Sequence, residues 1–566
     1  MMARLDPDVL DAICSSLVDK STALSMSLTC RELRPMAIKR LLSMQPIPLK
    51  DAVTIYGLHR FLFADGFAWL RYLRGLSVDI IWVDEPYPAG DIARCVVDIL
   101  QHATRLVFLE LPEPKYMFTG LSCFGDYPEV FEAICELPSL RELVIGGDWF
   151  SSADRIVLGI CSPLKALSVN AHGLVSPGET FWLTPKRLGE LLCNFAATME
   201  ELNLPGDNTL YPPGCKDIVI PAMRSVYLGH QSDALWMDTF VHMFPVLNGT
   251  FDVGDLYGVD GHTLRADVAE QRRIRALNKQ SQETRAWRHL DRAIGDTHTL
   301  YMLGLACTVR HLMLDKVCVH RKEQMTDILR DARPTHLKLS LRLAHGLGVF
   351  EDLFQSDAVS GVTHLVLLAS YDNIEALYSD PGVDMDTVQH IQWDHVLAGL
   401  KSSIQHLRIS RLRLIIRYEI GEAGRPPTPY SRGFVTSIRA LDHEALAAEL
   451  FDAVSSLQHV VINTNGHFAG VHLGRPAEDV TEGLAPAPAP VRVDRGWFLT
   501  SSAWSTVEPD GTPISPPRRM RRLPDWAVDG FVRSEDLAIS ANDEFLLGVN
   551  REWTAGEKAD WPYLPE

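Results

Sequence analysis

The first apolar pattern along the chain is helical. In Leu5-Asp6-Pro7-Asp8-Val9-Leu10-Asp11-Ala12-Ile13-Cys14-Ser15-Ser16-Leu17, the positions Val9, Leu10, Ile13 and Leu17 form one stripe at helical spacing. Asp6 can cap, Pro7 suits a first turn and Asp8 favours the positive end of the dipole, so a helix is predicted to begin near Pro7. A second helix carrying Leu24 and Leu28 is predicted with Ser21 as its cap. A third covers Cys30 to Leu42, with Leu33, Ala37, Ile38, Leu41 and Leu42 apolar and Pro35 tolerable only near a helix start or at a kink. Three short helices in about forty residues cannot make a core alone. Neither metal ligands nor cystines are on offer there, which leaves a protein partner.

From about residue 70 to 465 the period shortens to an apolar-x-apolar, strand-like step. It recurs in Leu106-Val107-Phe108-Leu109-Glu110-Leu111, Leu140-Arg141-Glu142-Leu143-Val144-Ile145, Leu164-Lys165-Ala166-Leu167, Met199-Glu200-Glu201-Leu202 and Met223-Arg224-Ser225-Val226. Later copies are His311-Leu312-Met313-Leu314, His336-Leu337-Lys338-Leu339, His364-Leu365-Val366-Leu367, His406-Leu407-Arg408-Ile409 and His459-Val460-Val461-Ile462. From Leu109 to Leu143, Leu167, Leu202 and Val226 the steps are 34, 24, 35 and 24 residues, and from Leu312 to Leu337 and Leu365 they are 25 and 28. Helix-like stretches lie between them: Ile92 to His102, Val130 to Glu136, Pro185 to Thr198, Gln324 to Ala332 and His443 to Ser455. One strand and one helix per unit predict an α/β solenoid with a parallel sheet; an ordinary α/β domain is the alternative, and regular strand spacing separates the two. Between Val226 and Leu312 the pattern predicts a degenerate repeat at Gly249 to Val253. A long polar helix should follow from Leu264 to Ile294, bearing Arg272, Arg273, Arg275, Arg285, Arg288 and Arg292. Those charges read as a solvated face, with a docking surface for an acidic peptide as the sharper alternative.

Beyond Gly470 the repeat ends, and Ala485-Pro486-Ala487-Pro488-Ala489-Pro490 reads as a stiff linker or loop. Five of the twelve tryptophans follow it (Trp497, Trp504, Trp526, Trp553, Trp561), so the C-terminal segment is expected to pack back as a cap. Pro516-Pro517-Arg518-Arg519-Met520-Arg521-Arg522 offers a nuclear-import or phosphate-binding patch as a minor alternative to an ordinary basic run.

Composition narrows the function. The 566 residues are 46% hydrophobic and 22% charged, enough for a large core, and the net charge of −18 argues against general nucleic-acid or anionic-membrane binding. No apolar run reaches the roughly 18 residues of a membrane span, and Met1 to Asp11 lacks the pattern of a secretory signal, so a cytoplasmic and/or nuclear protein is expected. The ten cysteines are scattered, none in Cys-x-x-Cys, and read as reduced core thiols. There is no Gly-x-Ser-x-Gly elbow, P-loop or His-Glu-x-x-His, and Gly346-Leu347-Gly348 lacks the third glycine of a dinucleotide fingerprint. His311, His336, His364, His406 and His459 occupy equivalent places before strands, so they should form a ladder along the repeats instead of converging on one ion. Acid pairs such as Asp84-Glu85 and Glu351-Asp352 make no acid/base case. No catalytic residue, cofactor or metal site is expected.

Leu5, Pro7, Asp8, Leu10, Ile13 and Leu17, then Ala23-Leu24 and Ser27-Leu28-Thr29-Cys30-Arg31-Glu32-Leu33-Arg34-Pro35, resemble an F-box, in a form similar to fungal F-box proteins. The body resembles the irregular leucine-rich repeats that follow F-boxes. The resemblance implies a three-helix F-box over 1–46, an irregular solenoid over 47–470, a Pro/Ala-rich linker over 471–495 and a Trp-rich capping segment over 496–566. It also implies a non-catalytic substrate-recognition adaptor of an SCF-type ubiquitin ligase, bound to the Skp adaptor and through it to a cullin. Leu5, Pro7, Leu10, Ile13, Leu17, Leu24 and Leu28 would form the adaptor face, and the strand-lined face of the repeats would hold an unidentified protein target. The alternative is an interaction scaffold with a degenerate F-box, for which Asp6 between Leu5 and Pro7 is the discriminating feature.

Overall fold

Asp6 caps the first helix: its carboxylate accepts from the Asp8 N–H at 2.8 Å, and Pro7 opens α1 (Pro7–Ser16). The second helix, α2 (Lys20–Thr29), is capped by Asp19, not Ser21. An ionised carboxylate accepts several bonds at once, and Asp19 takes the Thr22 N–H at 2.6 Å together with the Ser21 and Thr22 hydroxyls at 2.6 and 2.7 Å. Pro35 falls in the first turn of α3 (Leu33–Met44), where no intrahelical N–H is needed. The three helices approach over small residues, with Cys14, Ala23, Ser27 and Ala37 buried. Arg40 donates from Nε and Nη2 to the Leu17 carbonyl at 2.9 and 2.6 Å, which fixes the end of α1 against α3.

The structure, a computed structural model, describes residues 6–17, 19–64, 66–80, 88–114, 117, 124, 127–146, 152–170, 185–204, 218–229, 235–254, 268–372, 390–420, 434, 436–471, 493–507 and 520–539. Leu5, Asp84-Glu85, Cys123, Cys215, the Ala485 to Pro490 run, Pro516 to Arg519, Trp553 and Trp561 lie outside the described residues. The chain divides into two compact units, Met1–Leu264 and Arg265–Glu566.

In the first unit β1 (Ile47–Leu49), α4 (Ala52–Ala64), β2 (Gly75–Val78), α5 (Ala89–His102), β3 (Phe108–Leu111), α6 (Pro128–Cys135) and β4 (Glu142–Gly146) follow the helical head. Then come α7 (Ser152–Gly159), β5 (Ala166–Asn170), α8 (Pro185–Leu192), β6 (Glu201–Leu204), β7 (Ser225–Leu228), α9 (Met237–Met243) and β8 (Thr250–Val253). Each strand pairs in parallel with the next in sequence. Leu109, Leu143, Leu167, Leu202 and Val226 are successive register partners, so the irregular steps read from the sequence are those between stacked strands. In β3 Leu109 and Leu111 are buried while Phe108 and Glu110 are half-buried, the alternation of a sheet with one face packed. A strand, β8, lies within the segment Gly249 to Val253 where the pattern placed a degenerate repeat.

The second unit runs α10 (Val268–Thr284), β9 (His289–Asp296), α11 (Thr297–Leu303), β10 (Thr308–Val317), α12 (Lys322–Ala332), β11 (His336–Arg342) and β12 (His364–Asp372). It continues with α13 (Trp393–Ile404), β13 (Arg411–Ile420), α14 (His443–Ala453), β14 (His459–Val471), β15 (Val493–Ser505), β16 (Arg521–Arg522) and α15 (Asp525–Ser534). Strands β9 to β14 are parallel and in sequence order; β15 and β16 add antiparallel. The two α/β units, with mostly parallel sheets, are compatible with a repeat solenoid.

Further expectations change. The polar helix ends at Thr284, and Arg292 sits on β9, because the chain must already be extended by His289 to pair with Thr308. The helix from Pro185 stops at Leu192. The strand expected at His406 lies five residues later, where Arg411 and Leu412 stand opposite His364 and Leu365. Of the described cysteines, Cys14, Cys95, Cys135, Cys307 and Cys318 are buried, whereas Cys30, Cys161 and Cys193 are exposed and are not core thiols. Among the described residues no helix is long and apolar enough to cross a membrane.

Candidate functional site

Two surfaces carry the sequence's candidate residues. On the N-terminal helices the small side chains take the interior, and large apolar ones are left outside. Ile13 is 40% exposed, Leu24 52% and Leu28 78%, with Val9 beside them in sequence at 45%. Pro7 is exposed, and Leu10 and Leu17 are half-buried; Leu5 lies outside the described residues. Ile13, Leu24 and Leu28 therefore contribute little to holding the three helices together. Single exposed apolar residues are ordinary, but three large ones on the twenty residues of α1 and α2 are exposed among the described residues.

The second surface is one face of the sheet in the second unit. Register places Arg292, His311, His336, His364, Arg411 and His459 side by side on successive strands β9 to β14. The expected histidine ladder exists, with Arg411 where His406 was expected; His406 instead lies within hydrogen-bond reach of the Phe354 carbonyl, its Nε2 at 2.9 Å. The His311 and His336 ring centroids are 4.2 Å apart and those of His336 and His364 3.9 Å, the latter pair stacked. Burial, with Arg310 and Arg292 near, pushes the His311 imidazole down to about 4. Burial with His311 and Arg310 brings His336 to about 4, and burial with His336 and Arg411 does the same for His364. All three rings are neutral at neutral pH.

The next residues on this face, Val366, Leu368, Ile415, Val461 and Ala503, are buried under Val528 and Val532 of α15 and under Leu537 and Ile539 beyond it. Polar ties fasten the same segment. Arg411 Nε donates to Glu535 Oε2, Arg310 Nη1 to Asp536 Oδ2 at 2.7 Å, and Arg413 Nη1 to the Leu537 carbonyl at 2.9 Å. Asp536 takes a left-handed φ of +53°, a conformation that Asp tolerates better than most residues. Burial opposes its ionisation, but the bond and charge of Arg310 outweigh that and hold its carboxyl below the usual range. Sequence reasoning missed Arg310, Arg413, Glu535 and Asp536, because their partners are more than a hundred residues away along the chain. No family model matches the chain, and no curated protein matches it either.

Proposed function

We propose that the chain is a substrate-recognition adaptor of an SCF-type ubiquitin ligase, in which α1 to α3 act as an F-box that docks the Skp adaptor and the irregular leucine-rich repeats hold a protein target. The observation that supports this most is the exposed apolar set Ile13, Leu24 and Leu28 on a helical head whose interior is already filled by Cys14, Ala23, Ser27 and Ala37. Fully burying a Leu or Ile side chain contributes about 1.5–3 kcal/mol, so covering the exposed part of this set would add to a contact with a partner. The chain supplies no reacting group in this reading. It acts by proximity, raising the effective concentration of a target lysine near the ubiquitin-charged enzyme. Since α15 covers part of the strand-lined face in the second unit, a target there meets the connecting loops and the uncovered strand positions.

The test is co-purification of the full chain with the Skp adaptor, beside an Ile13→Asp, Leu24→Asp double variant. Both positions are exposed enough for the fold to accept a carboxylate, whereas an apolar interface cannot bury one unpaired. Wild type should bind and the variant should not, with identical circular dichroism. A folded wild type that fails to bind would leave the scaffold reading in its place.

A further inference from the structure

We propose that His311, His336 and Asp536 form a site for one divalent transition-metal ion, with zinc(II) as its occupant, which ties the turn after α15 to strands β10 and β11. One ring nitrogen from each histidine and one carboxylate oxygen lie within 4.8 Å of one another. Hydrogen bonding is compatible with the tautomer that a ligand needs. The Thr335 hydroxyl lies 3.3 Å from the Arg310 carbonyl and 2.9 Å from His336 Nδ1; when it donates to the carbonyl, its oxygen accepts the Nδ1–H of His336. In that tautomer His336 Nε2 keeps its lone pair, with an outer hydrogen bond to hold the ring in the manner usual for metal-binding imidazoles.

His311 is the second pointer. It is 3% exposed, and its Nε2 stands 3.9 Å from Asp536 Oδ2; its Nδ1, which has no hydrogen-bond partner, stands 3.9 Å from Asp291 Oδ1. Those gaps are too long for hydrogen bonds. Two ligand bonds of about 2.1 Å span about 3.4 Å at a tetrahedral angle and about 4.2 Å in line, so the gap from His311 Nε2 to Asp536 Oδ2 is the width of an interposed ion.

The donor set selects the ion. Neutral imidazoles with one carboxylate suit zinc(II), whereas calcium and magnesium call for mostly oxygen ligands. Asp536 and the adjacent Asp291 and Glu535 supply negative charge, against Arg310, Arg292 and Arg411. Arg310 Nη1 and the ion share Asp536 Oδ2, whose lone pairs can serve both.

Zinc titration of the full chain by calorimetry, with thermal unfolding followed in parallel, tests the site. One ion per chain and a raised unfolding midpoint are expected, because an ion that binds only the folded state stabilises it. Asp536→Asn and His336→Gln should each weaken binding by at least about tenfold, and Thr335→Val, which leaves all three ligands in place, by about tenfold. Undiminished binding in these variants, or none by the wild type, would overturn the assignment. If the ligand variants fail to fold, cobalt(II) added to the wild type still decides it. Visible d–d bands without thiolate charge transfer support nitrogen and oxygen donors, and a strong thiolate band places the ion on cysteine and sinks the proposal.

Discussion

Arg275 shows how far one residue's role can depart from its composition. On α10 five residues are buried at the spacing of an apolar stripe, yet only Ile274 is apolar; Gln271, Arg275, Asn278 and Gln282 are polar. Three of them donate to carbonyls at the C-terminal end of α11, where Tyr301 O also accepts the Gly304 N–H. Arg275 Nη1 reaches Tyr301 O at 2.7 Å, Asn278 Nδ2 reaches Met302 O at 2.9 Å, and Gln282 Nε2 reaches Leu303 O and Gly304 O at 3.2 and 3.0 Å. Arg275 also pairs with Asp331 of α12 at 2.5 Å. Arg275→Ala should lower stability by about 2–4 kcal/mol in urea unfolding, since buried acceptors lose a charged donor. Arg273→Ala, which removes an exposed pair with Glu270, should leave the unfolding midpoint unchanged. The solvated-face reading holds for Arg273 and fails for Arg275, because a helix's own sequence does not say which neighbour's carbonyls will lie against it.

At the scale of elements, strand spacing was legible where one apolar-x-apolar step stood alone between helix-like stretches, as at Leu143, Leu167 and Leu337. It was not legible at β13, where His406-Leu407-Arg408-Ile409 and Arg411-Leu412-Arg413-Leu414 both alternate. The end of α13 at Ile404 decides between them: the chain needs the following residues to turn before it can enter the sheet. Close approach between neighbouring strands is also an element-level property. A Cβ on Gly146 at the end of β4 would lie 2.2 Å from the Pro112 carbonyl oxygen. Backbone on both sides leaves little room to yield, so Gly146→Ala should cost about 1–3 kcal/mol, read as a fall in the urea midpoint.

For the whole molecule, acid sensitivity is the prediction that separates the histidine-rich second unit from the rest. His443 is depressed by burial and by Arg522, against a smaller opposing pull from Asp442. His459 is depressed by burial, with Glu535 opposing and Arg411 assisting. In the unfolded chain each would titrate near about 6.5. Below that pH the unfolded state binds more protons than the folded one, so the stability these neutral rings contribute is present above about 6.5 and lost as pH falls toward their lower folded values. The denaturant midpoint of the second unit should therefore drop between pH 7 and pH 5, and His443→Gln should flatten the drop. The sequence by itself determined the helical head with its Asp6 cap and apolar stripe, the strand positions of most units and the presence of a histidine ladder, because periodicity and capping are local. Only the tertiary structure decided that Arg275 is a buried staple, that α15 covers part of the ladder face, and that Asp536 meets His311 and His336. Those contacts join residues dozens to hundreds of positions apart, and nothing in local spacing encodes which of them fold together.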